Sequence, residues 1–251
     1  MTPNIDNEMK LLAGMPIYVD EIPIKPLKLR DITEIGYIEF QQNIQILLLD
    51  LDTMIESIDD FEAQATMKAN RHMYKVFDLF MLSAGLTDLV IKSFKMIFET
   101  DDIEYVLDRS QNYNLVINKE HIISRDNFDE ISKVIEMQNN PKVSKKDAED
   151  DEYKPADELA KRIAEKLKKS KEIVAKSKAV EENKEGITIS DIISSVSAMS
   201  NSINKTNIWE YTLYQLYEEF ARLNRIDDYK LQIQASMWSS DIEIKHWSEP
   251  L

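Results

Sequence analysis

Acidic residues are the most numerous candidates for chemistry in this chain, and several of them lie next to each other or one residue apart. The pairs are Asp50/Asp52, Asp59/Asp60, Asp101/Asp102 and Asp150/Asp151. None has the Asp-x-Asp-x-Asn-Gly spacing of a calcium loop, in which alternate side chains and a glycine turn surround the ion. Since the chain has 46 acidic residues, chance accounts for these neighbours. We therefore expect no metal site.

Histidines and nucleophiles give no catalytic pattern either. His72, His121 and His246 lie far apart, and the chain has no cysteine. Its four glycines are isolated, so no phosphate-binding loop can be formed, and no G-x-S-x-G elbow occurs. His121 could act as a proton shuttle, but we favour a partly buried structural histidine. Without three groups that could converge in one pocket, we predict a protein that is not an enzyme and has no cofactor.

The net charge is −15, from 46 acidic and 31 basic residues among 251. Nucleic-acid binding needs positive charge over the contact face, because much of the affinity comes from neutralised phosphates. We therefore predict neither a nucleic-acid nor a membrane partner. The N-terminus lacks the features of a signal peptide, and the longest apolar run, residues 46–49, is far shorter than the ~20 residues of a membrane helix. We expect the chain in the cytoplasm of the cell that makes it.

Composition divides the chain into three regions. We predict an N-terminal helical domain with small β elements at 1–140, a charged linker with an exposed helix at 141–186, and a C-terminal helical bundle at 187–251. The predicted fold class is mainly α, with two helical lobes and one or two short β-hairpins in the N-terminal lobe. The linker has an apolar stripe too narrow to form its own core, which fits a solvated helix or a partner-docking helix. The stripe consists of Leu159, Ile163 and Leu167.

Hydrophobic periodicity locates the elements more closely. It predicts helices over about 29–58, 61–83, 87–97, 128–138, 208–224 and 227–238, and one that begins at Thr188 or Ser190. Asp59-Asp60 is predicted to cap the second helix, and Gly85 to end it. Alternating apolar residues predict hairpins at Ile17–Ile24 and Tyr105–Ile117. We expect these side chains to be buried: Leu47, Phe77, Phe80, Phe94, Ile131 and Leu216.

Four aromatic residues fall on the helix predicted over 208–224, namely Trp209, Tyr211, Tyr214 and Tyr217. They cannot all face inward on one helix. Either two or three of them are core residues, or they form an exposed aromatic strip that docks a protein, since Tyr and Trp often anchor interfaces. Our candidate partner-binding residues are Trp209, Tyr214 and Tyr217, with Phe220 as support beneath them.

This C-terminal segment resembles tail-assembly proteins of bacteriophages that infect Gram-positive bacteria. Those proteins often carry a Thr-x-Tyr-Gln-Leu/Phe-Tyr-Asp-x-Φ-x-Arg helix, where Φ is apolar, and a terminal His-Trp, here His246-Trp247. The helix motif is matched by Thr212, Tyr214, Gln215, Leu216, Tyr217, Phe220 and Arg222. Residues 26–37 and 126–131 are similar to proteins of phage tail modules.

The resemblance implies a non-enzymatic phage morphogenesis protein. The role it implies first is a tail assembly chaperone in the host cytoplasm, which binds the tape-measure or tail-tube protein before polymerisation and could also self-associate. One alternative is a structural component of the tail or baseplate, which would be present in the virion. Another is a phage-encoded inhibitor that binds a host protein.

Overall fold

The computed structural model describes residues 5–58, 60–109, 111–139, 187–236 and 246–248. Ten α-helices and five short strands lie in these ranges. The N-terminal region contains α1 (Ile5–Ala13), β1 (Ile17–Val19), β2 (Ile22–Ile24), α2 (Leu29–Ile35), α3 (Tyr37–Leu47), α4 (Leu51–Glu56), α5 (Phe61–Ala69), α6 (Val76–Met81), α7 (Ala84–Phe98), β3 (Ile103–Leu107), β4 (Tyr113–Ile117), β5 (His121–Ile123) and α8 (Phe128–Asn139). The C-terminal region contributes α9 (Ile189–Met199) and α10 (Leu213–Ser236). The prediction of a mainly α protein with short hairpins is confirmed.

The helix predicted over 29–58 is wrong in extent, because three helices occupy this stretch. Gly36 separates α2 from α3 with a φ of +96°, a value outside the right-handed helical region. Its amide still donates to the carbonyl of Ile32, and its own carbonyl accepts from Phe40, so the two helices meet without a loop. Asp50 then caps α4 by accepting from the amide of Thr53 at 2.8 Å.

The helix predicted over 61–83 is also divided. Asp60 caps α5 as expected, accepting from the amide of Glu62 at 2.9 Å. The helix ends near Asn70, and a 3₁₀ turn precedes α6. The prediction of Gly85 as a C-cap is wrong: Gly85 is the second residue of α7, which begins after the N-cap Ser83. The next helix therefore starts three residues earlier than its polar Thr87-Asp88 signal indicates.

Both predicted hairpins are present, and each is antiparallel. In the first, Ile17 pairs with Ile24. In the second, Ile103 pairs with Ile117. A third strand, β5, which was not predicted from the sequence, pairs with β4 through Leu115 and Ile123. Among the described strands, the order of the larger sheet is β3-β4-β5, so β3 and β5 lie at its edges there.

The core is one contiguous cluster centred on Phe128. The ring centroid of Phe128 lies 5.5 Å from that of Phe77, 5.7 Å from Phe80 and 6.0 Å from Phe94. The side chains expected to be buried are all buried. Residues of α9 and α10, including Ile192 and Leu216, belong to the same cluster, so the described parts of both regions share one core.

The C-terminal helices differ from their prediction. The two helices predicted over 208–224 and 227–238 are a single helix, α10, which begins only at Leu213. A 3₁₀ turn, Ile208–Glu210, precedes it. Thr188, rather than Ser190, caps α9. The predicted linker at 141–186, with its narrow apolar stripe, lies outside the described residues, and the bounds of the three regions stay a prediction.

Candidate protein-binding surface

The start of α10 is fixed by a reciprocal pair of hydrogen bonds. The amide of Gln215 donates to the Thr212 hydroxyl at 3.3 Å, and the amide of Thr212 donates to the Gln215 side-chain oxygen at 2.8 Å. This is a capping box, which satisfies amides that the first turn of a helix leaves unpaired. Residues 209 and 211 therefore precede the helix.

The same segment is bonded to the N-terminal region. The amide of Leu29 donates to the carbonyl of Tyr211 at 2.8 Å, and Lys28 and Thr212 form an isolated antiparallel bridge. The Gln215 side chain also donates to the carbonyl of Leu12 at 2.8 Å. One end of α10 is thus joined to the end of α1 and to the start of α2.

Charges reinforce this junction at the surface. Glu210 accepts hydrogen bonds from Lys28, at 2.8 Å, and from the guanidinium of Arg30. The hydrogen bond from Lys28 and the positive charge of Arg30 lower the pKa of Glu210. Because all three side chains are about half exposed, solvent weakens the attraction, and the pairs mainly orient the segment.

Helix α1 presents an apolar ridge to solvent. Its buried Leu11 faces the core, while Ile5, Met9 and Leu12 are exposed. Positions four and three residues apart lie on one side of a helix, so these three side chains form a continuous strip, which we call the α1 ridge. This helix was not among the elements predicted from the sequence. The available signal was Gly14 followed by Pro16, a common helix ending.

The three candidate partner-binding residues occupy different environments. Trp209 lies in the 3₁₀ turn, half-buried, and its indole nitrogen donates to the carbonyl of Lys205 at 2.9 Å. Its predicted position on the tyrosine-bearing helix is therefore wrong. Tyr214 is half-buried on α10, and burial, with Glu8 and then Glu218 adding negative charge, raises its pKa. Glu8 belongs to α1, so Tyr214 lies beside that helix.

Tyr217 is a core residue. Only 7% of it is exposed, and its hydroxyl lies 3.5 Å from the hydroxyl of Tyr37. Phe220 is half-buried and packs against the same core. Tyr214 and Trp209 thus reach the surface, and Tyr217 does not. Whether any of the three binds a partner stays a prediction.

Four of the paired acids that the structure describes cap a helix or pair with a basic side chain. Asp50 and Asp60 cap helices, and Asp52 accepts two hydrogen bonds from Arg71, at 2.6 and 2.8 Å, which lower its pKa. Asp101 lies 3.4 Å from the Lys95 ammonium. In the described ranges, no group of three or more His, Asp or Glu side chains could hold a metal ion.

Residues 178–251 match the family model of the YomV second domain. YomV is a phage-encoded protein. The match indicates a phage protein. Comparisons with curated proteins and with solved structures found no match. None of the helices in the described part of the chain combines the length and apolar composition of a membrane span.

The YomV-like segment contains α9, α10 and all three candidate residues. Its α10 contacts α1 and α8 of the N-terminal region. The α1 ridge lies outside the matched segment, although α1 is held in place by Gln215 within it. The surface next to Tyr214 is therefore built jointly by the YomV-like segment and the N-terminal region.

Proposed function

We propose that this protein is a non-enzymatic phage tail-morphogenesis protein, a tail assembly chaperone that binds the tape-measure or tail-tube protein. The observation that carries the proposal is the match of residues 178–251 to a domain of a phage-encoded protein. The resemblance of the same segment to tail-assembly proteins supports the finer role.

The binding surface that we propose consists of the α1 ridge and Tyr214. Exposed apolar side chains next to a half-buried tyrosine suit the covering of apolar surface on another protein. The chain's net charge of −15 would keep such a complex soluble, because like charges on separate complexes repel. Apolar contact and acidic repulsion together give a physical basis for holding an assembly-prone subunit in solution.

A binding role agrees with the structural use of three of the paired acids. Asp50, Asp52 and Asp60 are engaged in helix caps or in an ion pair. Their hydrogen bonds account for their positions without a substrate. A binding role uses the apolar surface and needs no reactive group.

Co-purification tests the proposal. The full chain would be co-expressed with the tape-measure or the tail-tube protein encoded by the same phage. We expect Met9→Asp and Tyr214→Ala each to reduce the recovered partner by about tenfold, as truncation of an interface anchor does. The matched control is Phe61→Asp, which places the same charge at a residue that is 78% exposed in another part of the chain. Circular dichroism should be unchanged in all three variants.

Other outcomes would assign a different role. Failure of the wild-type chain to bind either tail protein would overturn the chaperone role. Retention of the protein in purified virions would instead identify a structural tail or baseplate component. Binding to a defined host protein, with no binding to tail proteins, would identify an inhibitor. Equal loss of binding in Phe61→Asp would show that the loss is not specific to α1 and that the binding surface is not the α1 ridge.

A further inference from the structure

Strand β3 is an edge of the three-stranded sheet. It pairs with β4 on one side, and among the described residues no strand lies on its other side. Edge strands present unpaired main-chain groups, and proteins usually protect them with lysine, proline or a bulge. The β3 sequence, Ile-Glu-Tyr-Val-Leu, has neither lysine nor proline, and its register with β4 is continuous.

The alternation of hydrogen bonds along β3 shows which of its main-chain groups point away from β4. The carbonyl of Asp102 accepts from Asn118 at 2.9 Å, and the amide of Asp108 donates to Asn112 at 3.0 Å. Directly opposed residues in an antiparallel pair alternate between bonded and non-bonded. Glu104 and Val106 therefore bond to β4, whereas the main-chain groups of Tyr105 and Leu107 point away from the sheet. In the described part of the chain, those groups make no hydrogen bond outside the sheet.

The side chains on this part of the sheet form an apolar platform. At the inner end of the sheet, Leu115 and Ile123 are fully buried against the helices. On edge strand β3 and toward the β3–β4 turn the same face continues into solvent, where Tyr105 is 43%, Leu107 58% and Tyr113 38% exposed. The rings of Tyr105 and Tyr113 stack with centroids 5.3 Å apart. Part of the apolar face of the sheet is therefore not covered by the core.

The charge around β3 is strongly negative. Between residues 99 and 109 the chain has one basic residue, Arg109, and five acidic ones: Glu99, Asp101, Asp102, Glu104 and Asp108. This density opposes the pairing of β3 with β3 of a second copy. It attracts a segment that carries positive charge.

We propose that β3 binds an extended, basic segment of a partner polypeptide, which adds to the sheet as a fourth strand. Main-chain bonds to Tyr105 and Leu107 supply affinity, and alternate side chains supply specificity. One face of the added strand lies beside Tyr105 and Leu107, and the other lies beside Glu104. The segment that fits therefore alternates β-branched apolar residues with lysine or arginine.

This strand edge is separate from the α1 ridge and from Tyr214. A synthetic peptide tests it without a tail protein, so strand addition and the chaperone role can fail independently. The probe is an eight-residue peptide of alternating lysine and valine with blocked ends. A block peptide with four lysines followed by four valines has the same composition and charge but lacks the alternation.

Amide hydrogen exchange on the full-length protein gives the direct test. In the free protein we expect the amides of Tyr105 and Leu107 to exchange rapidly, and those of Glu104 and Val106 slowly. The alternating peptide should slow exchange at Tyr105 and Leu107 by at least about tenfold, since bonded amides exchange only when the structure opens. The block peptide should leave the exchange of these two amides unchanged.

Three variants separate backbone pairing from simple charge attraction. Leu107→Pro removes an outward amide without removing a bond to β4, and should abolish binding, whereas Leu107→Thr keeps the amide and should retain it. Glu104→Lys should weaken binding of the lysine peptide, because it removes the negative charge beside the added strand and leaves four acidic and two basic residues between 99 and 109. Should the proline variant misfold, Glu104→Lys and the wild-type exchange data decide the question.

Binding of the alternating peptide without slower exchange at Tyr105 and Leu107 would overturn strand addition. Equal binding of the block peptide, or of the proline and threonine variants, would do the same. Slow exchange of these two amides in the free protein, together with a dimeric mass in sedimentation, would show that a second copy covers the edge instead.

Discussion

Replacement of Gly14 by alanine should destabilise the fold through the junction of α1 and α10. Gly14 has a φ of +64° and ends α1. Its amide donates to the carbonyl of Leu11 at 3.1 Å, and the amide of Met15 donates to the carbonyl of Lys10 at 2.8 Å. This pair of bonds is a Schellman ending, which requires a left-handed residue at this position.

The expected magnitude has two parts. A side chain in the left-handed conformation costs roughly 1–2 kcal/mol. A β-carbon at Gly14 would also lie 3.3 Å from the Nε2 atom of Gln215 and 3.5 Å from the Thr212 methyl group. Movement of Gln215 weakens its bond to Leu12, and a hydrogen bond contributes about 1 kcal/mol. We expect a loss of about 2–3 kcal/mol, or a Tm lower by roughly 5–10 °C for a chain of this size.

Urea unfolding followed by circular dichroism measures this loss, and two controls divide it into its parts. Gly14→Asn tolerates the left-handed conformation better than alanine but has the same β-carbon, so it should retain mainly the contact cost. Gly36→Ala, at a φ of +96° with no atom within 4 Å of the new β-carbon, should show backbone strain alone. If Gly14→Ala changes the unfolding free energy by less than about 0.5 kcal/mol, the reasoning is refuted, since surface substitutions have effects of that size.

Two further predictions concern the core and the charged junction. Phe128→Ala should lower the unfolding free energy by about 3–5 kcal/mol, because it removes the ring that contacts Phe77, Phe80 and Phe94; a loss below about 1 kcal/mol in urea unfolding would contradict that central position. Lys28 and Arg30 lower the folded-state pKa of Glu210 below its ordinary value of 4.5. The ionised carboxylate therefore stabilises the fold fully at a pH above 4.5, and this stabilisation is lost as the pH falls through the lowered pKa. Glu210→Gln should therefore reduce the difference in stability between neutral pH and about pH 3, and an unchanged difference would show that the pairs contribute nothing.

The features that the sequence predicted well are local. The hairpin at Ile17–Ile24 follows from alternating apolar residues between prolines, and Asp60 caps its helix through amides two and three residues away. The break at Gly36 was missed because α2 and α3 bury side chains against the same core, so apolar spacing continues across it. Only an isolated glycine marked the place.

The exposure of the candidate partner-binding residues is set by packing between segments that are distant in the sequence. Tyr214 and Tyr217 are three residues apart on one helix, and their different burial is decided by what packs against α10, which no local pattern contains. The position of Trp209 was predictable in retrospect. Thr212 and Gln215 have the spacing of a capping box, a signal that begins the helix after Tyr211.

The hydrogen bond between Gln215 and Leu12 joins residues 203 positions apart, and this separation has a consequence for biosynthesis. At about 5–20 residues per second of translation, roughly 10–40 s separate the synthesis of α1 from that of its partner helix. Throughout that interval α1 lacks the helix to which Gln215 joins it. The contact between the N-terminal helix and the C-terminal helix therefore forms only after the C-terminal helix is translated, which makes this closure a late event for each new chain.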